Sequence, residues 1–166
     1  MNFSEEFMKS SGAPLMAHGR KIVPAVRLSV LPAQVIEIEW ISAIASPVQG
    51  IQVALKGGRV RLGDATGANL RLWNDTSPRQ VTLICECRRE SELLMWNTWR
   101  DGRGVTQAWM GNAGLTETPR DDGSTLVECN SRNAVTFADV VFVFRTRDAG
   151  SEPDCPTKGV RDPSEK

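Results

Sequence analysis

The feature that most constrains this chain is an apolar pattern with a period of two residues. In the segments 26–30, 36–40 and 51–55, Val, Leu, Ile or Trp alternates with other, mostly polar side chains. Successive side chains of a β-strand point to opposite faces of its sheet, so each segment predicts a strand with one face in a core. Further short strands are predicted at 60–62, 70–73, 81–87, 93–100, 107–110, 126–130 and 140–146. About ten short strands at this spacing predict an all-β fold, a single-domain antiparallel β-sandwich of jelly-roll or Greek-key type.

Helices and turns agree with this interpretation. No segment longer than about ten residues has the period of an amphipathic helix, which disfavours alternating strand–helix units and the nucleotide-binding crevice that they form. In the sequence Lys56-Gly57-Gly58-Arg59, we expect both glycines at positive φ in a two-residue hairpin turn.

Composition divides the chain into three regions. Residues 1–19 mix Ser, Gly, Pro and charged residues and are predicted to form a flexible N-terminal arm. Residues 20–146 are predicted to form the β-sandwich domain, and the Pro-rich polar residues 147–166 a disordered C-terminal tail. The chain has no apolar run long enough for a transmembrane helix and no basic, apolar export signal at its start. We therefore expect a soluble, cytoplasmic protein.

Charge and histidine content disfavour several functions. Lys and Arg number 20, as do Asp and Glu, so the formal net charge is zero. Neither nucleic acid nor a membrane is an expected partner, because both normally attract a basic surface. His18 is the only histidine, which disfavours Ser-His-Asp and Cys-His catalysis, and the phosphate-loop and dinucleotide motifs are absent. We expect a binding module rather than an enzyme; an acid–base enzyme using the carboxylates of Asp75, Asp101 and Glu128 is the catalytic alternative.

The cysteines fit a structural role. Cys85 and Cys87 share their strand face with Val81 and Leu83, so their thiols are expected in the core, and Cys129 is interpreted in the same way. Buried thiols have raised pKa values and are poor nucleophiles.

A concentration of Trp and Asn marks the candidate site, within residues 73–112. The segment 93–115 holds three of the five tryptophans, and Leu72-Trp73-Asn74 recurs as Met95-Trp96-Asn97. If Leu72 faces the core, Trp73 and its neighbour Arg71 face solvent, and we expect two arginines of the adjacent hairpin beside them.

An indole next to amide groups suits a neutral, polyhydroxylated, glycan-like ligand, because the ring packs on C–H groups while amides donate and accept hydrogen bonds. The predicted ligand-binding residues are Trp73, Asn74, Arg59, Arg61, Arg71, Asn97 and Asn112.

Packing roles for the same residues stay open. Trp73 also fits a position covered by a guanidinium, and the asparagines fit turn caps. The strand 93–100 is apolar on both faces, so one face is expected under a loop, with residues 111–114 as the candidate, or under a partner. The rival function is therefore a protein–protein interaction or structural module, including a homo-oligomer, with this Trp-rich strand at the interface.

The segment Phe137-Ala138-Asp139-Val140-Val141 resembles the closing strand of some bacterial calcium-binding β-domains, which carry Asp-Phe-x-Asp-Leu-Val. Phe137 and Asp139 match, and Thr136 stands where that pattern has its first acid. The resemblance implies a calcium ligand at Asp139. Calcium needs several oxygen ligands, and Asp139 is the only acid of the segment, so we expect no cofactor or metal and interpret Asp139 as a turn residue at the start of a strand.

Overall fold

The computed structural model describes residues 2–132 and 134–148, which form one short helix and fourteen strands. They are α1 (Phe3–Lys9), β1 (Leu15–Ala17), β2 (Arg20–Ile22), β3 (Val26–Val30), β4 (Val35–Ala43), β5 (Val48–Leu55), β6 (Gly58–Leu62), β7 (Ala65–Gly67), β8 (Asn69–Trp73), β9 (Gln80–Cys87), β10 (Ser91–Arg100), β11 (Thr106–Gln107), β12 (Gly114–Pro119), β13 (Thr125–Asn130) and β14 (Val140–Arg147). In the described part of the chain, no helix has the length and apolar character needed to cross a membrane. Most of the predicted tail, residues 149–166, lies outside the described residues.

Twelve of the fourteen strands form two large antiparallel sheets that enclose the main core, and β1 and β2 form a separate two-stranded sheet. The five-stranded sheet has the order β11-β10-β5-β8, with β3 also pairing with β10. The seven-stranded sheet has the order β12-β13-β14-β4-β9-β6-β7. Side chains from both sheets meet in the core, among them Ile51 and Met95 from the first sheet and Ile38 and Phe142 from the second. The all-β sandwich that the alternation predicts is therefore confirmed.

The turn at residues 56–59 differs from the predicted hairpin. Strand β5 pairs with β8 and β10, whereas β6 pairs with β7 and β9, so this turn carries the chain from one sheet to the other. Of its two glycines, only Gly57 has a positive φ, of 73°. Gly58 is required for close packing instead, because a Cβ atom there would lie 2.5 Å from the carbonyl oxygen of Glu86.

Part of the predicted N-terminal arm packs on the sandwich. The side chain of Asn2 caps α1 by accepting a hydrogen bond from the backbone N–H of Glu5. Phe3 and Phe7 lie one turn apart on the same helix face. Both are buried, in a second small cluster with Ile22 and Phe137. The seven-residue helix has only three apolar residues, Phe3, Phe7 and the exposed Met8, which is too short a pattern to predict this packing.

Candidate functional site

The outer face of the five-stranded sheet carries three of the five tryptophans. Leu72 and Met95 point into the core, so the next residues, Trp73 on β8 and Trp96 on β10, point away from it. Strand β5 separates these two strands, with Gly50 paired to Trp73 and Gln52 paired to Trp96. We call this surface the tryptophan face and define it by Trp73, Trp96, Trp109, Gln52, Arg71 and Arg100.

Glycine on the central strand allows Trp73 to lie close to the sheet. Gly50 pairs with Trp73 in the β5–β8 register. A Cβ atom at Gly50 would lie 2.6 Å from Cε3 of Trp73 and 2.8 Å from the carbonyl oxygen of Leu72. The indole therefore occupies the space that any larger side chain at position 50 would take, and it is half-buried there.

A guanidinium covers one side of this indole. The Cζ atom of Arg100 lies over the Trp73 ring, 4.4 Å from its centroid. Its Nη2 donates a hydrogen bond to Oδ2 of Asp75 at 2.8 Å, which orients the guanidinium. This cation–π contact is the packing role that the sequence left open for Trp73. Next to it, Nε of Arg71 donates to Oε1 of Gln52 at 2.8 Å.

A second indole pair lies across the sheet. The loop between β11 and β12 places Trp109 on Trp96, with ring centroids 4.6 Å apart and ring planes 27° apart. Trp109, rather than residues 111–114, thus covers the outer side of Trp96. Nε1 of Trp109 donates to the carbonyl oxygen of Pro24 at 3.0 Å.

The backbone of Trp109 is unusual. Its φ is 54°, in the left-handed region that bulky residues rarely adopt, and such conformations persist only where surrounding contacts hold them. The side chain nevertheless remains 47% exposed. The loop therefore presents a large apolar ring to solvent in a fixed position.

Two of the predicted site residues lie on the opposite side of the molecule. Arg59 and Arg61 flank Val60, which points into the core, so both arginines are on the outer face of the seven-stranded sheet. They are not beside Trp73, because the sandwich lies between. The expectation that they share a surface depended on a hairpin that the chain does not form.

The predicted asparagines have different surroundings. Asn97 is 2% exposed and donates from Nδ2 to the carbonyl oxygen of Asn130 at 3.0 Å, so it holds two strands together inside the protein. Oδ1 of Asn112 accepts from the backbone N–H of Phe3 at 3.3 Å and ties α1 to the sandwich. Asn74 follows Trp73 directly and is half-buried, and its backbone N–H donates to the carbonyl oxygen of Gln49 at 2.9 Å.

The carboxylate of Asp139 is hydrogen-bonded to residues of the loop between β13 and β14. It accepts hydrogen bonds from the backbone N–H of Ser131 at 2.9 Å and from the hydroxyl of Thr136 at 3.2 Å. Within residues 2–132 and 134–148, no three His, Cys, Asp or Glu side chains are grouped so that they could hold a metal ion. The arrangement fits the interpretation of Asp139 as a turn residue at the start of β14.

The remaining groups with catalytic potential are engaged elsewhere. Asp75 pairs with Arg100, and Glu128 pairs with Arg20. Backbone N–H groups of residues 103 and 105 donate to Asp101 and lower the pKa of its carboxyl. The three carboxylates therefore have different hydrogen-bond partners.

The cysteines have the burial that the sequence indicates. Cys85 and Cys129 are buried, and Cys87 is half-buried against the core. Burial raises the pKa of Cys85 to about 11 and that of Cys129 well above its ordinary value. Neither buried thiol is therefore ionised near neutral pH, and both are poor nucleophiles.

The sequence interpretation missed Trp96, Trp109, Gln52 and Arg100 as members of the face. The alternation along the strand 93–100 places Trp96 on the face opposite to Met95, so the sequence did indicate that Trp96 points outward. Trp109 falls in the strand predicted at 107–110, but β11 ends at Gln107, and the position of Trp109 in the following loop depends on a hydrogen bond to Pro24, 85 residues away.

No protein-family model matches the chain, and comparison with curated proteins and with solved structures finds no similar protein. The geometry of the tryptophan face is therefore the basis for a functional assignment.

Proposed function

We propose that the chain is a binding module whose tryptophan face takes a neutral, polyhydroxylated, glycan-like ligand. The observation that carries the proposal is Trp109, a 47% exposed indole that is stacked on Trp96 and fixed by its hydrogen bond to Pro24. A ring held in this way loses little conformational freedom when it packs on the C–H face of a sugar. Binding then gains apolar contact at a small entropic cost.

Polar groups beside the indoles suit the hydroxyls of such a ligand. The guanidinium of Arg71 has five N–H groups, and its one hydrogen bond to Gln52 uses only Nε. Its remaining N–H groups are donors for hydroxyl oxygens. Asp75 is exposed, and its carboxylate keeps acceptor capacity beyond the bond from Arg100. Donors and acceptors therefore lie together beside Trp73.

The test is a panel of immobilised neutral oligosaccharides, followed by calorimetric titration of any that binds. We expect the parent protein to bind at least one, and Trp109→Ala to weaken that binding by about tenfold or more, as the loss of a stacked aromatic contact implies. Met16→Ala is the control, because Met16 is 70% exposed but lies in β1, which belongs to the separate two-stranded sheet β1-β2. The proposal fails if the parent binds no neutral glycan, or if both variants bind as the parent does.

A protein partner is the second candidate for this surface. Val105, Trp109 and Met110 are 50%, 47% and 40% exposed and lie within six residues of one another. Aromatic residues and Met are enriched at protein interfaces. Sedimentation across a concentration series tests the homo-oligomer form of this idea: self-association that Met110→Ser weakens would support it, and a monomer at every concentration would eliminate it.

A further inference from the structure

A charged groove lies away from the tryptophan face, at one end of the sandwich. It has a volume of about 1060 Å³ and lies between the 56–58 turn, the end of β9 with the turn that follows, and the turn before β4. We call it the arginine groove and define it by its cationic side chains, Lys56, Arg59, Arg61, Arg88 and Arg89. Three carboxylates, those of Glu86, Glu90 and Glu92, also line it.

The three carboxylates of the groove form ion pairs or hydrogen bonds, but some of its cationic side chains remain without a carboxylate partner. Arg61 pairs with Glu86 at 2.8 Å, and Lys56 pairs with Glu92 at 2.7 Å. Glu90 accepts a hydrogen bond from the hydroxyl of Ser29.

Three guanidinium groups remain. Among the residues that the structure describes, Arg59, Arg88 and Arg89 have no carboxylate partner. All three are exposed.

The fold brings two of these side chains to the same groove. Arg59 on β6 pairs with Glu86 on β9, and Arg88 follows directly after β9 ends at Cys87. Both side chains line the groove. The guanidiniums of Arg59 and Arg88 can thus reach one ligand, with Arg89 at the adjoining rim.

We propose that the arginine groove binds a small, multiply charged phosphate compound. Guanidinium groups match phosphoryl oxygens in bidentate hydrogen bonds, and a phosphoryl group carries more charge than a carboxylate. A compact ligand contacts the three free arginines while avoiding the carboxylates of the same groove. A nucleic acid strand would not avoid these carboxylates, because its regularly spaced phosphates would also lie next to Glu86 and Glu90. The volume is near the upper end of the range for small-molecule sites, roughly 300–1,000 Å³.

Calorimetric titration of the full chain with inorganic tripolyphosphate, at 0.15 M NaCl, tests the proposal. We expect saturable binding to the parent and a loss of affinity of about tenfold or more in the double variant Arg59→Gln/Arg88→Gln, since each substitution removes a charge-assisted hydrogen bond. Arg120→Gln is the matched control and should bind as the parent does, because Arg120 is an exposed arginine in the turn between β12 and β13, outside the groove, and pairs with no carboxylate of the described residues. Circular dichroism and thermal unfolding confirm that each variant is folded.

Other ligands in the same titration distinguish the alternatives. Citrate, a tricarboxylate, should bind more weakly than tripolyphosphate, and a single-stranded oligonucleotide should bind more weakly per phosphate group. The proposal is overturned if the parent does not bind tripolyphosphate at millimolar concentration. It is overturned equally if Arg120→Gln loses as much affinity as the double variant, or if citrate or the oligonucleotide binds as well as tripolyphosphate.

Discussion

The outer faces of the two sheets are covered in different ways. On the seven-stranded sheet, charged side chains pair with one another, as Glu37 does with Arg147 and Glu39 with Arg79. On the five-stranded sheet, indoles stack on one another and under a guanidinium. An exposed ion pair contributes about 0–1 kcal/mol, whereas a large aromatic side chain removes far more apolar surface from water. The ion pairs of the charged face thus add little stability, while the aromatic face exposes one large apolar ring to solvent.

The largest expected effect comes from removing the indole under that ring. Trp96→Ala should lower the free energy of unfolding by about 2–3 kcal/mol, somewhat less than for a fully buried Trp, because Trp109 loses its stacking partner and apolar area is exposed. Arg79→Ala on the charged face should cost less than about 1 kcal/mol. Urea denaturation of both variants measures the difference. Equal losses would show that the two faces contribute alike to stability and would remove the contrast.

The core could be predicted from sequence because its signal is local. Ile36, Ile38 and Trp40 are buried where the period of two places them. Which sheet a strand joins is not a local property, since alternation says only which side chains share a face. The 56–59 turn shows the consequence: Arg59 points outward as expected, but from the other sheet.

The candidate site shows the same limit. Trp73 is outward because its neighbour Leu72 is in the core, and alternation predicts this. Asn97 comes two residues after Met95 and shares its face of the strand, so alternation also predicts that Asn97 is buried. The exposure of Trp109 was not, because it depends on a left-handed φ and on a contact distant in sequence.

A smaller effect is expected at Gly50, and it sharpens the contrast by testing how closely the aromatic face is packed. Gly50→Ala should lower the free energy of unfolding by about 1–3 kcal/mol, because the new methyl group would contact the Leu72 carbonyl, which cannot move without shifting β8. Gly102→Ala is the control, since a Cβ there meets no atom within 4 Å, and its effect should stay within about 0.5 kcal/mol. If the two alanine variants are equally stable in urea, Trp73 is not packed against Gly50 as described.

The smallest expected effect belongs to the seven-stranded sheet and depends on pH. Asp122, in the turn between β12 and β13, accepts hydrogen bonds from the backbone N–H and the hydroxyl of Ser124, which lower its pKa from 3.8 to about 2. The unfolded chain then binds the proton more readily than the folded one, so this contribution to stability is present above about pH 4 and is lost as the pH falls toward 2.

Asp122→Asn removes this pH-dependent contribution to stability. The control is Trp96→Ala on the aromatic face. The stability difference between the parent and Asp122→Asn should be largest near pH 6 and should shrink steadily as unfolding is measured at lower pH. The deficit of Trp96→Ala should stay constant over the same interval, because an indole does not titrate. If the parent and Asp122→Asn instead follow parallel curves down to pH 2, the hydrogen bonds from Ser124 do not favour the ionised carboxylate, and the turn is held by backbone geometry alone.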